Sequence, residues 1–88
     1  MVTVILPRSL VALIPGTERT TEIADAATVA EVIDRLDART PGLRNRLVDS
    51  GPTLRQHINV FVDGNQASLD TPVRGDSTIH VIPAVSGG

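Results

Sequence analysis

The sequence predicts an α+β fold, a mixed sheet with one main helix packed on one face. Three observations point there. Short stretches in which apolar residues alternate with others, bounded by proline, glycine or aspartate, read as strands, as with Ile58, Val60 and Val62. One stretch departs from that period: Val29, Val32, Ile33 and Leu36 follow i, i+3, i+4, i+7 and form the apolar stripe of a helix. The elements come as a hairpin, a helix and then further strands, an order that places the helix on one side of a sheet.

The strands and helix follow in sequence. Residues 2–6 are β-branched and alternate, and Pro7 ends them. Residues 7–17 hold two prolines and a glycine around Leu10, Leu13 and Ile14, which predicts a loop with apolar anchors. Residues 18–23 form a second strand, antiparallel to the first. Thr28-Val29-Ala30-Glu31 is a capping box, in which the threonine hydroxyl accepts from an early helix N–H and Glu31 reaches back, so the helix begins there. Pro41-Gly42 closes it, and Leu43 with Leu47 predicts one short helical turn before Ser50-Gly51-Pro52. Residues 57–62 are the clearest strand, Asp63-Gly64-Asn65 the turn after it, and 66–69 a short strand. A turn over 71–76 leads to a last strand over 78–85.

Size and composition limit what such a chain can do. Its 88 residues predict a single domain, 1–88, with one small core. Chains of this size bury roughly 60–65% of the surface exposed when unfolded, which disfavours a deep catalytic cleft. The net charge of −2 is scattered, with no basic run and no aromatic interleaving, so nucleic acid is not the expected partner. The absence of cysteine excludes disulfides, iron–sulfur clusters, thiolate zinc sites and persulfides on this chain. The apolar stretch over 2–14 is interrupted by Pro7 and Arg8, lacks a basic leader and is too short to span a bilayer, so a cytoplasmic chain without membrane contact is expected. All eight basic residues are arginine. Genome composition and avoidance of amines that would capture an activated carboxyl terminus both account for that, and both stay open.

The sequence closes on Pro83-Ala84-Val85-Ser86-Gly87-Gly88. At ordinary glycine usage a terminal Gly-Gly arises by chance in roughly 0.5% of chains, which makes it a specific signal. It also has a chemical use: without Cβ atoms, Gly87 and Gly88 can thread a narrow channel in a partner enzyme and present a carboxylate to the α-phosphate of ATP.

With the capping-box helix, Pro41-Gly42-Leu43 through Leu47, Ile58-Asn59-Val60-Phe61-Val62, Gly75-Asp76 and the 82–88 ending, the chain resembles the MoaD/ThiS family of sulfur carriers along essentially its whole length. The segment 49–57 is similar to the loop of the CysO branch. Two departures stand out. Ser86 occupies a position where alanine or threonine is common, and the spacing from Gly75-Asp76 to Pro83 is one residue longer than usual, which predicts a β-bulge.

The resemblance implies a ubiquitin-like β-grasp fold with a flexible tail over 84–88. It implies that Gly88 is adenylated by a ubiquitin-activating-type adenylyltransferase/sulfurtransferase, using ATP and magnesium held by that partner, and is then converted to a thiocarboxylate. Ser86 and Gly87 would thread the partner's channel. The chain itself would hold no cofactor or metal and would be a cosubstrate rather than an enzyme, monomeric when free. The CysO likeness implies a pyridoxal-phosphate sulfhydrylase as acceptor, in cysteine biosynthesis, with a metalloprotease releasing the product. Delivery to molybdopterin, thiamin or thiosugar synthesis, a protein modifier joined to lysines, and a plain interaction domain are the alternatives.

If Val2, Val4, Leu6, Ile58, Val60, Val62, Ile79 and Val81 face the helix, then Ile5, Phe61 and Ile82 emerge on the opposite face, where no second helix covers them. Together with Pro83 and Val85 they are the predicted partner-binding residues. The alternative is a scatter of exposed apolar residues without a role. His57 and His80 are too isolated for a zinc site and read as structural or solvated. Ser50 reads as a turn residue, Arg74-Gly75-Asp76 as a turn before the last strand, and Asp34 and Asp37 as a solvated helix face beside arginines.

Overall fold

A computed structural model describes residues 1–83. The tail 84–88, with Val85, Ser86, Gly87 and Gly88, lies outside the described residues, as does the predicted end of the last strand beyond Pro83.

The first strand, β1 (Val2–Ile5), buries Val2 and Val4 and leaves Thr3 and Ile5 on the other face, as its alternation requires. The predicted loop after it contains a helix instead, α1 (Arg8–Leu13). The Pro7 carbonyl accepts from both Leu10 N and Val11 N at 3.1 Å, and Leu10 is buried in the core. At six residues the helix is too short to show a period, and burial of Leu10 rather than intrinsic propensity holds it. The second strand, β2 (Thr20–Ile23), is shorter than expected and runs antiparallel to β1, with Val2 opposite Ile23 and Ile5 opposite Thr20.

The main helix, α2 (Val29–Arg39), begins at the predicted cap. Thr28 Oγ1 accepts from Glu31 N at 3.3 Å, and Glu31 Oε1 accepts from Ala27 N, one residue before the cap. The remaining free amides of the first turn are taken up by a distant segment: Val29 N donates to the Thr71 carbonyl and Ala30 N to the Leu69 carbonyl, each at 3.0 Å. Val29, Val32, Ile33 and Leu36 are all buried.

Helix α3 (Leu43–Leu47) follows Gly42, whose φ of 100° belongs to the left-handed region that favours glycine. Asp37 is not a merely solvated residue, as its arginine neighbours suggested. Its Oδ1 accepts from Gly42 N at 3.1 Å and Arg44 N at 3.0 Å, so it holds the start of α3 against the end of α2. Asp34 meets Arg44 Nε at 3.0 Å, an exposed ion pair of little energetic weight.

The segment predicted as a loop over 49–57 contains a small hairpin, β3 (Val48–Asp49) with β4 (Thr53–Leu54). Two-residue strands carry no readable alternation, which is why sequence reasoning missed them. Strand β5 (Ile58–Val62) follows, then β6 (Asn65–Ala67), joined through Asp63 and Gly64. Both turn residues have positive φ, 49° and 87°, the conformation of a type I′ hairpin. Arg74-Gly75-Asp76 is a turn that Ser77 closes, its hydroxyl accepting from Arg74 N at 2.9 Å.

The last strand, β7 (Thr78–Pro83), lies in the middle of a five-stranded sheet of order β2-β1-β7-β5-β6. It runs parallel to β1 and antiparallel to β5. The predicted bulge is absent from it, because the pairing with β5 continues unbroken from Val62 opposite Ile79 to Ile58 opposite Pro83. The core residues of β1, β2, β5, β7, α2 and α3 form one buried cluster, which also takes in Leu6, Leu10, Val48 and Leu69, with Ala67 of β6 packed against it. This is the ubiquitin-like β-grasp arrangement, a mixed sheet with its helices on one side.

Removing the Thr28 hydroxyl strips one helix amide of its partner, so Thr28→Ala should cost about 1 kcal/mol, whereas Leu36→Ala should cost about 2–5 kcal/mol through the cavity it leaves. Urea titrations followed by circular dichroism measure both, and equal losses would contradict this ranking.

Candidate functional site

The face of the sheet turned away from the helices is built by the same alternation that fills the core. Val4, Val60, Ile79 and Val81 point inward, so Ile5, Phe61, His80 and Ile82 point outward. Cross-strand register then decides which of these meet. His80 on β7 is opposite Ile5 on β1 and Phe61 on β5, while Thr20 and Gln66 extend the row onto the two outer strands. Ile82 lies one step along β7, opposite Asn59, and its 45% exposure sets it among the large apolar residues most open to water. Gln66 Nε2 donates to Asn59 Oδ1 at 3.2 Å beside it.

The structure thus brings Ile5, Phe61 and Ile82 to one face, as expected, but not as a continuous apolar patch. His80 separates Ile5 from Phe61, which stand two strand spacings apart, about 9–10 Å. Ile5 and Phe61 are half-buried because their row neighbours shield them in the absence of a second layer. His80 is exposed, in keeping with its reading as a structural or solvated residue, but sequence reasoning did not place it on this face. The signal was present: it precedes Ile82 by two positions on an alternating strand and so shares its face.

Pro83 belongs elsewhere. Its partner Ile58 faces the core, so Pro83 lies half-buried on the helix side of the sheet, at the last described position of β7. Val85, Ser86, Gly87 and Gly88 fall outside the described residues, and their predicted roles rest on the sequence.

Away from the open face, the start of α3 and the segment entering β5 bring Arg46, Arg55 and His57 around a shallow depression. No local motif in the sequence joins these positions. Among the described residues, no three His, Cys, Asp or Glu side chains gather as a metal site requires. No helix among them is long and apolar enough to cross a membrane.

The fold and its open face define a ubiquitin-like protein with an uncovered sheet surface. Residues 4–88 match the ThiS family, and the chain belongs to that family. Among solved structures it is similar to a chain of the Amycolatopsis orientalis BexX/CysO complex, at 36% identity with all of both chains covered and a TM-score of 0.88. It is also similar to Mycobacterium tuberculosis CysO, at 27% identity, covering 97% of this chain and 100% of that one, with a TM-score of 0.85. Among characterised relatives, small archaeal modifier protein 3 of Haloferax volcanii is 31% identical over 70 residues, 75% of each chain. The chain thus falls within the MoaD/ThiS group of ubiquitin-like carriers and modifiers, with a likeness to its CysO branch.

Two neighbouring residues on β7 test the facing. Ile82→Glu should change stability by less than about 1 kcal/mol, while Val81→Glu should unfold the chain by placing a carboxylate in the core. Thermal melting distinguishes them, and similar losses would mean that Ile82 is a core residue.

Proposed function

We propose that this chain is a sulfur carrier whose Gly88 carboxylate is activated by a partner enzyme and becomes a thiocarboxylate. The observation that carries the reading is the family match running through Gly87 and Gly88. The absence of cysteine supports it, since sulfur held by this chain has to sit on the carboxyl terminus.

The chemistry follows from the carboxylate. One oxygen of Gly88 attacks the α-phosphorus of ATP, pyrophosphate leaves, and a mixed anhydride with AMP results. Magnesium and ATP belong to the partner, a ubiquitin-activating-type adenylyltransferase. A hydrosulfide equivalent then adds to the Gly88 carbonyl carbon, AMP leaves with the bonding electron pair, and a thiocarboxylate remains. Its sulfur is a softer and stronger nucleophile than the oxygen it replaces. The partners perform the catalysis, and this chain acts as their protein cosubstrate.

The acceptor proposed is a pyridoxal-phosphate sulfhydrylase in cysteine biosynthesis, a reading supported by the likeness to CysO structures. Sulfur transfer there leaves a thioester to the new cysteine, which rearranges to an amide because the adjacent amine is held at high effective concentration. A metalloprotease would restore the diglycine. In the Amycolatopsis orientalis structure CysO is in complex with BexX, which supports docking of this chain through a defined surface. The second reading is a protein modifier joined through Gly88 to target lysines, favoured by the likeness to small archaeal modifier protein 3.

Incubation with the activating enzyme of the same organism, ATP and sulfide should raise the intact mass by the difference between sulfur and oxygen, localised to Gly88. Deleting Gly88 should abolish the shift while leaving the melting temperature unchanged. A free thiocarboxylate that transfers sulfur to the sulfhydrylase supports the carrier, whereas an isopeptide ladder without thiocarboxylate supports the modifier.

The open sheet face is the proposed docking surface, with Ile5, Phe61, His80 and Ile82 at its centre. Phe61→Glu should weaken binding to the activating enzyme about ten- to hundredfold, the equivalent of losing about 1.5–3 kcal/mol of apolar burial. Calorimetric titration of a variant whose fold is verified by circular dichroism checks this, and unchanged affinity would remove Phe61 from the interface.

A further inference from the structure

The depression at the start of α3 is not used by the open sheet face, and its position is set by backbone contacts. Leu43 and Leu47 turn into the core, which leaves Arg46, between them on the short helix, exposed. Arg55 is fastened to the same helix: its backbone N donates to the Leu47 carbonyl at 2.9 Å and its Nε to the Asn45 carbonyl at 2.7 Å. The Arg55 carbonyl in turn accepts from Ile58 N at 2.9 Å, closing a turn that carries His57 to the same rim.

The charge here is one-sided. Gly42, Asn45, Arg46, Arg55 and His57 line the depression, and no carboxylate is among them. Among the described residues the Arg46 side chain has no hydrogen-bond or ion-pair partner, and the ion pair present joins Arg44 to Asp34 instead. A chain of net charge −2 therefore presents two guanidinium groups, uncompensated by any described carboxylate, at one place.

That place adjoins the end of the central strand. Ile58 is paired with Pro83, and His57 immediately precedes Ile58. The described part of β7 ends here at Pro83, five residues before Gly88, so an enzyme that takes Gly88 in the proposed function works within reach of this end of the sheet. The depression is open and Arg46 is exposed, so a small anion would gain little in water and be screened by salt. A protein surface covering the same groups excludes that water and accelerates encounter through its field.

We infer that Arg46, Arg55 and His57 form an electrostatic docking site for an acidic segment of the enzyme that activates Gly88. The inference rests on the activation step of the proposed function, which carrier and modifier share. It adds a second contact, chemically distinct from the open sheet face.

The test is pyrophosphate release by the activating enzyme of the same organism, with the full chain as the varied substrate. Arg46→Glu should raise KM about tenfold at low salt and leave kcat unchanged, because it alters encounter and not the reacting carboxylate. The wild-type KM should climb with sodium chloride while that of Arg46→Glu stays nearly flat. Arg46→Lys should preserve most of the wild-type behaviour. Arg74→Glu, a reversal of equal charge at the opposite end of β7, should leave KM unchanged. Melting curves verify that each variant is folded. A KM for Arg46→Glu equal to wild type at every salt concentration, or an equal rise in Arg74→Glu, would overturn the docking site alone. Failure of the wild-type chain to release pyrophosphate would overturn the activation reading and this inference with it.

Discussion

The pairing of β7 with β1 on one side and β5 on the other is the interaction on which the structure depends. Thr3 meets Thr78 and Val62 meets Ile79, so the strand nearest the carboxyl terminus becomes the middle of the sheet. Without it the hairpin of β1 and β2 and the hairpin of β5 and β6 have no common partner. The contact with β1 spans most of the chain, and its loop-closure entropy is offset only when both edges of β7 are engaged. At the described end of β7 the ladder with β5 continues to Pro83, whereas the ladder with β1 stops at His80.

Polar contacts position the helices once that sheet exists. The start of α2 is satisfied by Thr28 and by the carbonyls of Leu69 and Thr71, so the segment between β6 and β7 is tied to the helix it crosses. Asp37 performs the corresponding task between α2 and α3. Hydrogen bonds from backbone amides to a carboxylate are strong for their size, whereas the exposed Arg44–Asp34 pair contributes little. All of this lies on the helix side and leaves the opposite sheet face free.

In the proposed reading, chemistry and recognition are separated in this protein. No charged side chain is among the buried described residues, the open face offers alternating apolar and polar side chains, and the proposed reactive group is the carboxylate of Gly88. In the proposed reading, reactivity comes from the enzymes that bind the chain. In that reading the chain supplies an address, made of the sheet face and the arginine-lined depression near the end of β7.

The sequence by itself determined the α+β class, the capped helix over its four-residue stripe, the long strands and the outward placement of Ile5, Phe61 and Ile82. These follow from periods of two and of 3.6 residues, which survive any tertiary arrangement. The proposed chemistry also rests on the sequence alone, on Gly87-Gly88 and the absence of cysteine. Elements too short to show a period were not legible. Helix α1 exists because Leu10 finds the core, and the β3–β4 hairpin because its two short strands meet across Ser50-Gly51-Pro52. The unbroken register of β7 replaced an expected bulge, since strand spacing counted along the chain cannot reveal how partners align. Only the tertiary structure set His80 between Ile5 and Phe61, turned Asp37 into a helix tie, placed Pro83 on the helix side and gathered Arg46, Arg55 and His57. Each depends on which strand or helix lies alongside, a contact between residues distant in sequence that no local pattern encodes.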